Sequence, residues 1–351
     1  MTLRAGTSLA VSMMLALAGC DSRVPGSDGG VPQGDGSSAA DGAMAQTDGG
    51  VTTPTSPLVD PECIDGMYSE VLPDPDADIA DLVGAYDPST LDAFVIAVLE
   101  RRYGVGAHLV EGASATQDCI DRFIDDTSTA ASVLRALPTV VHECGHMLDN
   151  AQSSGAESVY VLTETLSLSC SQGDAVGRGG LTFARNLIID DEYQSLRPPC
   201  GGTFSPGCDF YADIYLDDGL SGSQGFSVLF DEVVQYVNSI ATALAITNEL
   251  SGPGSVSERD GILNFLWYMQ RYLRMARLEH PSAYTHLVSG DGGCWREAIL
   301  TVWGRAWLYL DATAGMGHLG IDDDTLTTLV SDPDLLAEIQ LLRDAESCPA
   351  P

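Results

Sequence analysis

Two histidines stand four positions apart, with a glutamate beside the first, in Thr139-Val140-Val141-His142-Glu143-Cys144-Gly145-His146-Met147-Leu148. On an α-helix that spacing sets the imidazoles about 40° apart around the axis and one turn apart along it, so both can offer a nitrogen to one ion. This is the pairing that gives Zn2+ two of its ligands. Glu143 adjoins the pair but is turned away from direct ligation, where it can take a proton from water activated by the metal. Zinc lowers the pKa of such a water to about 7. Cys144 is two positions from each histidine, about 160–200° around the helix, and cannot reach the same ion; a disulfide or a packed back face suits it better.

The residues around the HExxH unit, Thr139, Val140, Cys144, Gly145, Met147 and Leu148, are all uncharged. The stretch resembles the zincin metallopeptidases, over about ten residues of direct match. The resemblance implies zinc-dependent hydrolysis of peptide bonds in a protein or peptide substrate, and a third protein ligand beside the two histidines. Asp149 and Gln152 stand where the metzincin branch has Gly and then His or Asp, which disfavours that branch. The gluzincin branch takes a Glu from a later segment. Glu232, in Phe230-Asp231-Glu232-Val233-Val234-Gln235-Tyr236, is the favoured ligand because it lies on an amphipathic helix; Asp231 points elsewhere and is a weaker contender. Glu164 is the second candidate: its spacing from His146 is one residue short of the thermolysin type, and its segment alternates like a strand. Tyr236, one turn beyond Glu232, is the candidate donor to an oxyanion. His108, His280, His286 and His318 have no motif around them. The competing reading is a non-catalytic zinc-binding or scaffolding surface protein, against which the retained Glu143 argues.

Several elements must hold these residues. A helix is expected from Thr90 to Tyr103, with Ser89 as its N-cap and Gly104 as its stop. A second runs over 129–152, kinked or restarted at Pro138. Ser158 to Ser169 alternates like a half-buried strand. Gly and Pro crowd 171–225, after which the pattern is helical to the end. Trp267, Tyr268, Tyr272, Trp303, Trp307 and Tyr309 fall at helical spacings and read as core. The fold class is therefore α+β, mainly α: a zincin-like active-site helix, a small N-terminal sheet and a helical C-terminal half.

Outside the motif, the chain of 351 residues carries 50 acidic and 16 basic residues, every basic one Arg, for a net charge of −34. Such a surface repels phosphate backbones, so no nucleic-acid partner is expected. The acidic runs around Asp74, Asp76, Asp78 and Asp81 and at 322–324 lack the Gly and terminal Glu of an EF-hand and read as solvated faces. Residues 1–20 read as an export signal, and Leu17-Ala18-Gly19-Cys20 resembles the bacterial lipobox, which implies lipidation at Cys20 and a lipid-anchored place in the bacterial cell envelope. Residues 21–60, poor in large apolar side chains, read as a disordered tether. The domain is expected over 61–351, divisible into lobes 61–170 and 225–351. Eight further cysteines suggest disulfides, with Cys200–Cys208, Cys294–Cys348 and Cys144–Cys170 as expected pairs.

Overall fold

The computed structural model describes residues 50–172, 176, 182–189, 211–216, 221–250, 258–321 and 323–349. Strand β1 (Val51–Thr52) pairs antiparallel with β2 (Glu70–Val71). Helices α1 (Leu91–Arg102) and α2 (Gly104–Ser114) lead to the long α3 (Ala130–Gln152), followed by a hairpin of β3 (Glu157–Val161) and β4 (Ser167–Ser171). The longer elements described after it are helices: α4 (Phe226–Ala245), α5 (Glu258–Glu279), α6 (Pro281–Ser289), α7 (Cys294–Ala312), α8 (Asp323–Val330) and α9 (Pro333–Glu346). Mainly helical, with two small antiparallel sheets, this is the fold class read from the sequence.

Helix α3 starts where Thr129 adopts an extended backbone and its hydroxyl accepts the Ser132 N–H at 3.1 Å. Pro138 lies inside it and removes one backbone donor without ending the helix. α3 packs against α2 on one side and α4 on the other, and α4 in turn packs on α5 and α7. Apart from Val228, Asp231 and Tyr236, which are half-buried, α4 is buried all round, as expected of a central helix. At the α3–α4 crossing a Cβ on Gly145 would run into the Gln235 side-chain amide, so the bare glycine leaves that amide its place. The six aromatic residues read as core are all buried.

Four local expectations are corrected. Ser89 does not cap a helix: Asp87 accepts both its N–H (2.8 Å) and its hydroxyl (2.7 Å), and Pro88 to Thr90 form a 3-10 turn ahead of α1. Gly104 does not stop a helix but begins α2; the break falls at Tyr103. The alternating segment from 158 is not one strand but two, because Leu162 N bonds Leu166 O at 2.9 Å and the Thr163 hydroxyl accepts the Leu166 N–H at 3.0 Å, closing a turn. Part of the segment read as tether packs on the domain: the N–H groups of Thr55 and Ser56 each donate to Asp311 Oδ2 at 2.8 Å, and Val59 is buried. The leader and Cys20 lie outside the described residues.

The disulfides are Cys63–Cys348, Cys119–Cys144 and Cys170–Cys294. The back face of α3 looks onto the segment after α2, so Cys144 meets Cys119 and not Cys170. β4 abuts the start of α7, so Cys170 takes Cys294, and the C-terminal tail, with Cys348, returns to the N-terminal segment at Cys63. Cys200 and Cys208 lie outside the described residues. The Cys119–Cys144 bond, at a sequence separation of 25, anchors the helix that carries the histidines. Replacing both cysteines by Ala should lower unfolding stability by about 3 kcal/mol in urea titrations under oxidising conditions; an unchanged midpoint would contradict this bond.

Candidate metal centre

Helix α3 presents His142 and His146 on the face that meets α4, and α4 presents Glu232 to them. His142 Nε2 and His146 Nε2 are 3.1 Å apart, and each is 3.5 Å from Glu232 Oε2. A tetrahedral ion with nitrogen and oxygen ligands at about 2.0–2.2 Å needs donor atoms roughly 3.3–3.6 Å from one another. The triangle is close to that size. Glu232 is 3% exposed, and its Oε2 has no hydrogen-bond donor. A buried acceptor left so costs about 1–3 kcal/mol. A cation between the three atoms removes that cost, so the donor set fits a metal of the kind the sequence implies. Among the described residues this is the one group of three or more metal-ligating side chains within reach of each other.

The outward nitrogens of both rings are also held. His142 Nδ1 lies 2.9 Å from Ser239 Oγ, and His146 Nδ1 lies 2.8 Å from Asp231 Oδ2. With the proton on Nδ1, the Nε2 lone pair of each ring faces the centre. Burial alone would push the Glu232 carboxyl up, but in the metal-free protein a protonated His146, with His142 beside it, outweighs burial and holds the carboxyl at about 2. Burial disfavours a charged His146, yet Asp231 and Glu232 together raise its pKa well above the ordinary value.

Tyr236 stands beside the centre. Its ring meets the His142 ring edge-on, with centroids 4.8 Å apart, and stacks on Phe265 at 4.9 Å. A Cβ on Gly261 would lie 2.1 Å from Tyr236 Cε1, so the bare backbone of α5 seats the ring. Its hydroxyl is 3.4 Å from that of Tyr215. Burial, reinforced by Tyr211 and Tyr215, pushes the Tyr236 phenol well up, which keeps it a proton donor. Glu143 is buried on α3, and its charge is among those raising the Tyr215 phenol, after burial and Glu232. A cavity of about 460 Å³ opens beside Asp231, lined also by Asp149, Ser158, Tyr160 and Ser227.

The structure thus brings together His142, His146, Glu232 and Tyr236. Glu164 is not among them: it is exposed on the hairpin turn, facing Gly104. His286 bonds the Ser171 carbonyl and His318 the Thr247 hydroxyl, apart from the centre. Sequence reasoning missed Ser239, Tyr215 and the support role of Asp231. For Asp231 the available signal was the stripe of polar residues at 231, 235, 238 and 242 along one side of the helix; nothing in the sequence marked Tyr215.

Compared with known proteins, the chain matches no family model, no curated protein and no solved structure.

In the metal-free protein the Glu232 pKa is depressed on folding, so its contribution is fully present above its unfolded value of about 4.3 and lost as pH falls toward 2. The stability advantage of the parent over Glu232→Gln, read from urea titrations of metal-free protein, should shrink between pH 6 and pH 3. A constant difference would contradict the assigned ion pairing.

Proposed function

We propose that the chain is a zinc-dependent metallopeptidase of gluzincin type, an endopeptidase acting on protein or peptide substrates, with His142, His146 and Glu232 holding the metal. The observation that carries this reading is the triangle of 3.1, 3.5 and 3.5 Å formed by two nitrogens of an HExxH helix and a carboxylate of a different helix. Bound zinc supplies a Lewis acid that polarises the scissile carbonyl and acidifies water. Glu143 takes the proton of the attacking water and passes it to the leaving amine. Tyr236, kept protonated by its buried setting, donates to the oxygen on which negative charge develops.

The envelope reading belongs to the same proposal. The leader, the lipobox at Cys20 and the disulfides agree with an exported protein held to a membrane by lipid. Among the described residues no helix is long and apolar enough to cross a membrane. The charge of −34 disfavours nucleic acid as a partner.

Purified protein should hold one zinc per chain, and its cleavage of an unstructured protein substrate should stop on chelation and return with zinc. Glu143→Gln should keep the metal while kcat falls by about 10²–10⁴. Tyr236→Phe should lose about 10²–10³ in kcat with metal content unchanged. A parent protein with zinc but no turnover on any peptide would overturn the hydrolytic reading. Fatty-acid labelling that persists in Cys20→Ala would overturn the anchor.

A further inference from the structure

Asp231, Gln235 and Asn238 lie on successive turns of one face of α4, and Gln235 and Asn238 have no exposed surface. Two buried amides in a row raise the question of which way each one points. The answer follows from the far end. Arg305, fully buried on α7, can only donate. Its Nη1 lies 2.8 Å from Asn238, so the atom it meets must be Oδ1. Asn238 therefore turns Nδ2 to Gln235, 2.8 Å away, and Gln235 must receive it with Oε1. That leaves Gln235 Nε2 facing two carboxylates, 2.8 Å from Asp149 Oδ2 and 3.3 Å from Asp231 Oδ1. The other oxygen of Asp231 meets His146 Nδ1 at 2.8 Å. Imidazole is the stronger base of the two, so the proton between them sits on nitrogen, whether the ring is neutral or charged.

The starting point is itself locked. Arg305 Nε donates to Glu70 Oε2 at 2.8 Å and Nη2 to the Tyr103 hydroxyl at 3.0 Å. Glu70 also accepts from Tyr68 and Tyr309, each at 2.7 Å. None of these groups can reverse its polarity without setting donor against donor or acceptor against acceptor in a dry interior.

We infer that the one-way hydrogen-bond chain Arg305–Asn238–Gln235–Asp231 positions His146 by fixing its proton on Nδ1, which turns Nε2 toward His142 and Glu232. The consequence for metal affinity rests on the proposed reading of His146 as a ligand. Asn238, Gln235 and Arg305 are positioning residues: none of them touches the three donor atoms.

Asn238→Asp tests this by reversing polarity. An aspartate still satisfies Arg305 but sets an oxygen against Gln235 Oε1, so the Gln235 amide must rotate and turn its oxygen toward Asp149 and Asp231. Two readouts apply to the full protein: zinc affinity by competition with a chromophoric chelator, and the imidazole N–H protons of 15N-histidine-labelled metal-free protein. The variant should bind zinc about 10–100-fold more weakly. It should also lose the His146 Nδ1–H signal to solvent exchange, while that of His142, held by Ser239, persists. Gln235→Met, of similar volume but without a donor, should move both readouts in the same direction and serves if the added charge prevents folding. Tyr309→Phe removes a hydrogen bond to Glu70 from the same core without reversing the chain; it should lower Tm and leave both readouts alone. The inference is overturned if Asn238→Asp and Gln235→Met keep the parent His146 signal, or if Tyr309→Phe abolishes it equally. A parent that binds no zinc, but whose His146 signal responds to Asn238→Asp, would overturn the metal reading and leave the chain of hydrogen bonds standing.

Discussion

Three acceptor atoms, two imidazole nitrogens and one carboxylate oxygen, are brought within 3.5 Å of one another in a nearly dry setting. Left alone they repel, and each has given up water to be there. Only a positive charge among them makes the arrangement favourable, as a proton or as a metal ion. Much of the surrounding structure can be understood as holding that unfavourable meeting in place. Gly145 leaves room for the Gln235 amide between α3 and α4, and Gly261 seats the Tyr236 ring. Asp231 and Ser239 fix the outward edges of the rings. The Cys119–Cys144 bond ties down the back of the helix between the two histidines.

A second polar cluster lies deeper, where Glu70, Arg305 and three tyrosines satisfy each other away from solvent. A buried ion pair is weak evidence for stability in itself, because desolvation offsets much of the attraction. Its value here is direction. A donor-only guanidinium at one end of a chain of amides imposes a polarity that a hydroxyl or a water would not. The N-terminal strand pair is therefore connected to the histidine helix through β2, α7 and α4.

The central parts of the site were legible in the sequence because they depend on local helical geometry. Residues four apart on a helix face the same way, so His142 and His146 could be paired without knowing the fold. Glu232 was found because it lies on an amphipathic helix, one turn before Tyr236, where the resemblance calls for a Glu from a later segment. Glu164 was an equally plain glutamate, and a turn that no alternation pattern reveals removed it from consideration. Asp231 was set aside because it points away from Glu232, yet pointing away is what places it behind His146. Disulfide pairing was not legible for the same reason as the turn: Cys144 and Cys170 are near in sequence, but which faces of α3, β4 and α7 meet is decided by tertiary packing. The boundary of the fold was also misplaced, since polar Thr55 and Ser56 look like linker until Asp311 is seen to cap them.

The most direct measurement is anomalous X-ray scattering at the zinc edge from crystals of zinc-loaded protein. The account predicts one strong peak per chain, within about 2.0–2.2 Å of His142 Nε2, His146 Nε2 and a Glu232 carboxylate oxygen. Stoichiometric zinc with its peak elsewhere, or a centre that stays without metal at saturating zinc, would contradict it.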